Sequence, residues 1–303
     1  MNADQKRELS GMAGSRASFK VPMSFYTTLG VGGPAEALYQ PGDIQQLAEV
    51  IAYLGSEMIP YVVVGRGSNL LVTDKGISGV VIILDGTLEE LTKGPEGQES
   101  LVAGGGLGLV DLLLYCRKNG LGGLEFLSWV PGTVGGAVRM NTGAFGKEMS
   151  EYVREIQIID PAGRGKTMNR EDLSFSYRNL DIEQGAIITR VVLRLMSEDR
   201  SVIESRVKEF MKRRKQSQPF NYPSAGSVFK NPPGEYAGRL IERAGLKGRR
   251  VGEAMISGKH ANFIVNIGRA KARDIIELMS IAREEVKKGT GIELEPEIRI
   301  LGD

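Results

Sequence analysis

Several residue types are scarce in this 303-residue chain, and each shortage excludes a class of protein. A single cysteine, Cys116, makes an intrachain disulfide impossible. One cysteine and one histidine, His260, cannot supply the ligand set of a structural zinc site, so we expect no bound metal. The 39 basic and 37 acidic residues nearly cancel, which gives no general electrostatic reason for binding nucleic acid.

Long apolar runs are also missing. No segment approaches the ~18 consecutive apolar residues of a membrane-spanning helix, and the N-terminal residues are polar where a secretory signal is apolar. We therefore expect a cytoplasmic protein without membrane association. A basic run at residues 212–215 ends a predicted helix, and it fits either a solvated helix end or an anion-binding site.

Glycine, in contrast, is abundant, with 40 residues. Many of them cluster in short apolar contexts at residues 30–33, 104–106 and 132–136. Glycine permits positive φ angles and lets the backbone approach a bound molecule closely. One such cluster is typical of a tight turn, but several separate clusters favour a ligand site lined by backbone.

The apolar periodicity predicts an α+β fold. Amphipathic spacing predicts helices at residues 43–55 (with Asp43 as N-cap), 110–119, 199–215, 236–244 and 271–287. Short β-branched runs predict strands at residues 61–64, 80–84, 153–160, 186–196, 263–267 and 298–301. The polar helix near residues 200–215 is the best candidate for a domain boundary.

Three common motifs fail on inspection. A dinucleotide fingerprint would need a third glycine where Leu70 follows Gly65 and Gly67. A phosphate-binding P-loop ending in residues 165–167 would need glycine where Asp160 stands, and residues 160–163 fit a hairpin turn better. A serine–histidine triad would depend on His260 alone, and no nucleophile elbow is present.

Six segments carry a more specific pattern. They are TLGVGGPA (residues 28–35), VGRGSNLLV (64–72), VPGTVGGA (130–137), FSYR (175–178), AGSVFKNP (225–232) and EPEI (295–298). In this order and at these distances they resemble the UDP-N-acetylenolpyruvoylglucosamine reductase family across nearly the whole chain. The length and the compact region after residue 178 are similar to the shorter form of that family.

The resemblance implies a two-lobed FAD-binding fold of the vanillyl-alcohol-oxidase (PCMH) type with a C-terminal α+β substrate-binding domain. The implied domains are a first FAD lobe at residues 1–60, a second lobe at 61–198 and the substrate domain at 199–303, whose last strand can return to the first lobe. It also implies FAD as cofactor, NADPH as hydride donor, a UDP-sugar enolpyruvyl substrate and a monomeric chain.

The same resemblance assigns site residues. A pyrophosphate is held well by backbone N–H groups in turns that place no side chain in the way. The implied FAD contacts are Gly65, Arg66, Gly67, Ser68, Asn69, Pro131, Gly132, Thr133, Gly135, Gly136, Asn141 and Gly143. The implied substrate contacts are Tyr177, Lys215, Lys230 and Asn231.

Three further residues match the catalytic positions of the family. Hydride attack on the enolpyruvyl double bond builds negative charge that must be stabilised and then protonated. The resemblance gives Ser227 as proton donor, Arg178 as the group that stabilises the enolate, and Glu297 as the glutamate that completes the site. It gives His260 no catalytic task, and we expect a structural or substrate-lining histidine.

Two other functions stay open at this point. The first is an oxidase of the same fold, although some of those attach FAD through a histidine, and His260 lies outside the flavin segments. The second is a flavin- or nucleotide-sugar-binding module without catalysis, which the presence of all three catalytic matches disfavours.

Overall fold

The computed structural model describes residues 1–95 and 97–302, and the described chain forms two compact units. The first unit comprises Met1–Phe19, Ala37–Gly65 and Gly79–Lys212, and the second comprises Lys20–Glu36, Arg66–Ser78 and Arg213–Asp303. Each unit is therefore built from separate stretches of sequence. The predicted division at residues 60 and 198 stays a prediction.

Helices contribute to both units. In chain order they are α1 (Ala3–Ala13), α2 (Ile44–Ser56), α3 (Leu109–Asn119), α4 (Val134–Arg139), α5 (Arg200–Ser217), α6 (Ala237–Arg243) and α7 (Ala272–Thr290). In the described residues, none of them is both long and apolar enough to span a membrane.

Strands are short and numerous. In chain order they are β1 (Ala17–Pro22), β2 (Pro34–Tyr39), β3 (Tyr61–Val63), β4 (Leu70–Val72), β5 (Ile77–Ile82), β6 (Leu91–Lys93), β7 (Ser100–Gly104), β8 (Leu121–Gly122), β9 (Gly143–Ala144), β10 (Lys147–Glu148), β11 (Val153–Ile159), β12 (Gly165–Asn169), β13 (Ser174–Ser176), β14 (Asn179–Asp181), β15 (Ile187–Arg194), β16 (Met196–Ser197), β17 (Arg250–Val251), β18 (Ala254–Ile256), β19 (Ile264–Asn266) and β20 (Arg299–Leu301).

The larger sheet of the first unit has five antiparallel strands in the order β12-β11-β15-β7-β6. Helix α3 contributes to the core around this sheet because its apolar residues recur on one side, from Leu109 through Leu112 to Cys116. Burial, together with the negative charge of the nearby Glu125 carboxylate, raises the pKa of the Cys116 thiol to about 12. Cys116 is fully buried on α3.

A second core of the first unit forms around α1 and α2. Asp43 caps α2 by accepting the backbone N–H of Gln46 over 2.8 Å, as the sequence predicts. Leu47, Ile51 and Leu54 recur at helical spacing and are fully buried. A four-stranded sheet has the order β1-β2-β5-β3, in which β3 and β5 are parallel.

The second unit combines α6 and α7 with the antiparallel sheet β17-β18-β19. Its last strand, β20, pairs in parallel with β4. The carboxylate of Asp74 accepts the backbone N–H groups of Ala272 and Arg273 over 2.9 and 3.1 Å. Asp74 therefore satisfies two orphan donors at the start of α7 and fixes the chain that follows β4.

Most predicted elements are found near their predicted positions, with a few differences. The predicted turn at residues 160–163 joins β11 to β12, with Gly163 at a φ of +79°. The strand predicted at residues 80–84 is β5, which begins earlier, at Ile77, and ends earlier, at Ile82. Helices α1 and α4 were not predicted: α1 is mostly polar and buries only Leu9 and Ala13, and α4 contains two glycines.

Candidate active site

Ser227 lies in a loop of the second unit, and the residues around it fix its position. Gly226 before it has a φ of +74°, a conformation that glycine adopts without the strain that a side chain adds. Val228 and Phe229 after it are 3% and 1% exposed, whereas Ser227 itself is half-buried. The loop therefore anchors its apolar part and leaves Ser227 at the surface of a cavity.

Glu297 lies on the segment that pairs with this loop. Phe229 and Pro296 form an antiparallel bridge, and the N–H of Glu297 donates to the carbonyl of Val228 over 2.8 Å. The structure thus brings two of the predicted catalytic residues, Ser227 and Glu297, onto neighbouring extended segments of one unit.

Asn69 holds the same segment from its other side. Its amide Nδ2 donates to the carbonyl of Glu297 over 3.1 Å, and its own carbonyl accepts the N–H of Arg299 over 3.0 Å. The backbone of Glu297 is therefore bonded at both its N–H and its C=O. Asn69 contributes to the geometry of the site, and its FAD contact stays a prediction.

A cavity of about 360 Å³ opens beside Ser227 within the second unit. It contains cationic, anionic, aromatic and amide groups, which suit a polar ligand with phosphate and sugar groups. The lining residues are Ser227, Asn231, Tyr236, Gly238, Arg239, Glu242, Lys259, His260, Ala261 and Asn262.

Sequence reasoning found Ser227, Asn231 and His260 in this cavity but missed most of its other residues. Tyr236 and Arg239 carry a local signal, because their spacing of three places them on one side of a helical turn. The Arg239 guanidinium lies 5.2 Å from the centre of the Tyr236 ring. Asn262 carries no local signal, since its partners are distant in sequence.

The predicted substrate contacts of the second unit make specific bonds. The Nζ of Lys230 lies 3.4 Å from Oε2 of Glu295, and the Oδ1 of Asn231 accepts the first N–H of α6 over 3.1 Å. Lys259 donates its Nζ to the carbonyl of Lys215 in the last turn of α5, where a cation is favoured by the helix dipole. Only Asn231 of the predicted set lines the cavity, and the roles of Lys215 and Lys230 stay predictions.

His260 lines the cavity as a partly buried neutral ring. Its Nδ1 accepts the backbone N–H of Asn262 over 3.2 Å, and its ring packs edge-on against Phe263 at 4.8 Å. Burial lowers the pKa of His260 below its ordinary 6.5, and the charge of Lys247 lowers it further. A neutral ring is required by the hydrogen bond, because a protonated Nδ1 could not accept it.

Arg178 lies in the first unit, in the two-residue loop between β13 and β14. Its φ is +59°, and its guanidinium donates to the carbonyl of Gly143 over 3.2 Å while lying 5.5 Å from the centre of the Tyr177 ring. One hydrogen bond and one ring contact thus hold its position and direction, which a residue that stabilises developing charge requires.

Asn141 links the predicted flavin loop to the same hairpin. Its Oδ1 accepts the N–H of Ser150 over 3.0 Å, and its Nδ2 donates to the carbonyl of Ser176 over 3.2 Å. Asn141 is 2% exposed and has a φ of +40°, which asparagine tolerates better than most residues. In the first unit, residues 141–143 and the hairpin with Arg178 therefore form one bonded cluster.

The glycine-rich turns of the first unit pack closely enough to exclude side chains. A Cβ on Gly65 would lie 2.6 Å from Oγ1 of Thr133, and one on Gly135 would lie 2.9 Å from the carbonyl of Gly105. Thr133 caps α4 by accepting the N–H of Gly136 over 3.3 Å. These turns present backbone and a hydroxyl rather than bulky side chains, so their donor chemistry fits the pyrophosphate of FAD.

Gly67 shows the same constraint in the second unit, to which residues 66–69 belong. It has a φ of +60°, and a Cβ there would lie 2.0 Å from the carbonyl of Tyr26. Its own carbonyl accepts the N–H of Thr28 over 3.2 Å. Only glycine fits this turn without moving the chain at residues 26–28.

Known protein families match both parts of the chain. Residues 35–169 match the model of an FAD binding domain. Residues 218–301 match the model of the UDP-N-acetylenolpyruvoylglucosamine reductase C-terminal domain. The second match contains the Ser227 loop, the cavity and Glu297.

Relatives along nearly the whole chain agree with these matches. The UDP-N-acetylenolpyruvoylglucosamine reductase of Syntrophus aciditrophicus is 41% identical over 300 residues, covering 98% of this chain and 96% of the relative. That of Heliobacterium modesticaldum is 44% identical over 284 residues, covering 93% and 90%.

Solved structures support the fold. The crystal structure of UDP-N-acetylenolpyruvylglucosamine reductase from Thermus caldophilus has a TM-score of 0.82 and 41% identity, and the match covers 93% of this chain and 98% of that one. p-Cresol methylhydroxylase is only 10% identical, with a TM-score of 0.57 over 95% of this chain and 88% of that one, and so supports the fold alone. The predicted fold class, an FAD-binding fold of the PCMH type with a C-terminal α+β domain, is confirmed. The chain belongs to the UDP-N-acetylenolpyruvoylglucosamine reductase family and is an FAD-dependent oxidoreductase.

Proposed function

We propose that the protein reduces the enolpyruvyl ether of UDP-N-acetylglucosamine to UDP-N-acetylmuramate, with NADPH as hydride donor, as a step in the synthesis of peptidoglycan precursor. The observation that carries the proposal is the pairing of the Ser227 loop with the Glu297 segment beside a polar cavity. This pairing lies inside the stretch that matches the reductase C-terminal domain.

The reaction is balanced by one hydride and one proton. The terminal carbon of the enolpyruvyl double bond gains hydride, the neighbouring carbon gains a proton, and NADPH leaves as NADP⁺. When bound, FAD supplies the redox step that carries the hydride between donor and substrate. Negative charge develops on the carbon next to the carboxylate, and the protein must stabilise that charge before the proton arrives.

We assign these tasks to three side chains. Ser227 gives its hydroxyl proton to the carbon next to the carboxylate, which requires a hydroxyl accessible from the cavity. Arg178 offers a fixed cation to the developing charge; its contacts with Gly143 and Tyr177 support such a role because they limit its freedom. Glu297 completes the site next to the Ser227 loop.

Other groups bind the two ligands. The diphosphate and sugar of the substrate are assigned to Tyr177, Lys215, Lys230 and Asn231. FAD is assigned to residues 65–69, residues 131–133, Gly135, Gly136, Asn141 and Gly143, whose turns can offer backbone N–H groups to a pyrophosphate. A cytoplasmic location and a monomeric state belong to the same proposal.

The test separates the two halves of the reaction under anaerobic conditions. NADPH is added to the FAD-loaded protein and the yellow absorption band of the flavin is followed; the enolpyruvyl ether is then added. The proposal expects bleaching by NADPH and recovery of the band only when that substrate is present.

Each departure from this result has a meaning. Bleaching without recovery would contradict the proposed substrate and leave a different oxidant to be found. No bleaching would contradict the proposed hydride donor and favour an oxidase of the same fold. A protein that cannot be loaded with FAD would favour a binding module.

A further inference from the structure

Asn262 makes an unusual set of bonds to the chain directly after Ser227. Its side-chain Oδ1 accepts the N–H of Phe229 over 2.9 Å, and its Nδ2 donates to the carbonyl of the same residue over 2.8 Å. Its backbone carbonyl also accepts the N–H of Val228 over 2.8 Å. The amide of Asn262 thus imitates the peptide group of a neighbouring strand.

These bonds account for nearly all of the backbone polar groups at Val228 and Phe229. Asn262 serves three of the four, and the N–H of Glu297 serves the fourth by donating to the carbonyl of Val228. Phe229 is 1% exposed and Asn262 is 3% exposed. If the side chain of Asn262 were removed, water would therefore not readily reach the N–H and C=O of Phe229. Asn262 is therefore the main support of the backbone on which Ser227 depends.

Asn262 is itself fixed in place. Its backbone N–H donates to Nδ1 of His260 over 3.2 Å, and both atoms of its amide are bonded to Phe229. On the other side of Ser227, Gly226 adopts a φ of +74° with nothing within 4 Å of a Cβ placed there. Only Gly226 itself is open, because the carbonyl of Ser224 before it accepts the hydroxyl of Thr28 over 2.7 Å. The stretch that follows Ser227 is the one that Asn262 supports.

We propose that Asn262 is a positioning residue that sets the location of the Ser227 hydroxyl through the backbone of Val228 and Phe229. This inference rests on the proposed function, because it takes Ser227 to be the proton donor. A displacement of about 1 Å at a reacting group can slow a reaction about 100-fold. The loss of Asn262 should therefore affect protonation of the substrate and leave the transfer from NADPH unchanged.

The test compares Asn262→Ala and Asn262→Asp with a matched control, Asn266→Ala. The aspartate variant keeps an acceptor for the N–H of Phe229 but replaces the donor with a second, charged acceptor that faces the carbonyl of Phe229. It therefore breaks one of the two side-chain bonds and keeps the other, which gives a second measurement of the same support. Asn266 is a buried asparagine of the same hairpin, whose amide bonds Leu29, Gly268 and Ala270 instead of the Ser227 loop. The Asn266→Ala variant should lower the free energy of unfolding without moving Ser227.

Two readouts are expected to agree. Recovery of the flavin band on substrate addition should slow about 10-fold or more in Asn262→Ala, while bleaching by NADPH stays within about twofold of wild type. Hydrogen exchange at the amides of residues 228–229 should accelerate in the Asn262 variants and not in Asn266→Ala. The exchange readout requires neither substrate nor turnover.

A double variant decides whether Asn262 acts through Ser227. In the Ser227→Ala background, Asn262→Ala should cause no further slowing of recovery, since the group that it positions is gone. An equal slowing in both backgrounds, or an equal slowing by Asn266→Ala, would overturn the inference.

The failure of the inference is distinct from failure of the proposed function. If Ser227→Ala slows recovery of the flavin band and Asn262→Ala does not, the inference is overturned and the proposed function stands. Unchanged recovery in Ser227→Ala, or a wild-type protein that never recovers with the substrate, would overturn the proposed function and the inference with it.

Discussion

The backbone N–H of Glu297 donates to the carbonyl of Val228 over 2.8 Å, so the residue after Ser227 and the proposed catalytic glutamate are directly bonded. A movement of either segment therefore moves the other. Because Asn69 bonds the carbonyl of Glu297 as well, the pair is held by two separate stretches of the second unit, residues 66–78 and 213–303. This arrangement gives a rigid frame to a loop that has little regular secondary structure.

Ser227→Ala is expected to remove the proton donor and slow substrate reduction about 100-fold or more, while NADPH still bleaches the flavin. Ser224→Ala is the matched control, because Ser224 lies in the same loop and the hydroxyl of Thr28 donates to its backbone carbonyl, which the variant keeps. Stopped-flow absorbance on each half-reaction measures both effects. Equal slowing in the two serine variants would contradict the assignment of the proton to Ser227.

Arg178→Lys is expected to slow substrate reduction about 10-fold or more, because lysine keeps the charge but loses the planar set of donors. Arg170→Lys is a close control: its guanidinium also lies over an aromatic ring, at 5.3 Å, and donates to a carbonyl over 3.2 Å. Steady-state rates with saturating NADPH compare the two. The assignment fails if Arg170→Lys is as slow as Arg178→Lys.

Gly67→Ala is expected to destabilise the protein far more than Gly234→Ala. Both glycines have positive φ, so both variants should lose about 1 kcal/mol through backbone strain. Only at Gly67 does the added Cβ meet a carbonyl, 2.0 Å away on Tyr26, and overpacking should cost about 2 kcal/mol more. Urea unfolding of FAD-free protein measures the difference without a contribution from cofactor binding. Similar losses in the two variants would show that the chain at Tyr26 can move aside.

His260 should make stability depend on pH below neutrality. Its folded pKa is lowered by burial and by Lys247, so the unfolded chain binds more protons as the pH falls below the ordinary 6.5. Stability contributed by the neutral ring is therefore complete above that value and decreases as the pH falls toward the lowered pKa. Below the lowered pKa, His260 is protonated in both the folded and the unfolded chain, and stability decreases no further through this residue.

The measurement for His260 is the free energy of unfolding at several pH values between about 7.5 and about 5, in wild type and in His260→Gln. The variant should lose less stability over this range, because it has no ring to protonate. His260 is the only histidine in the chain, so the difference between the two curves belongs to this residue. Parallel curves would show that its pKa is not lowered.

The local chemistry of the chain determined much of its secondary structure. Helix α2 could be predicted because Asp43, Leu47, Ile51 and Leu54 carry its start and its buried face within one short segment. The backbone hydrogen bonds of a helix join residues four apart, so the residues that determine a helix lie close together in sequence. The six family-like segments likewise lie in short runs, so the resemblance to the FAD-dependent family does not depend on tertiary contacts.

The supports of the site were decided only by the tertiary structure. Asn262 bonds Phe229, 33 residues away, and Asn69 bonds Glu297, 228 residues away. Extended segments take their hydrogen-bond partners from wherever the chain returns, and no local pattern marks that partner. The sequence by itself therefore determined most of the helices, the glycine turns and the candidate catalytic residues, whereas long-range pairing decided what holds Ser227 and Glu297 in place.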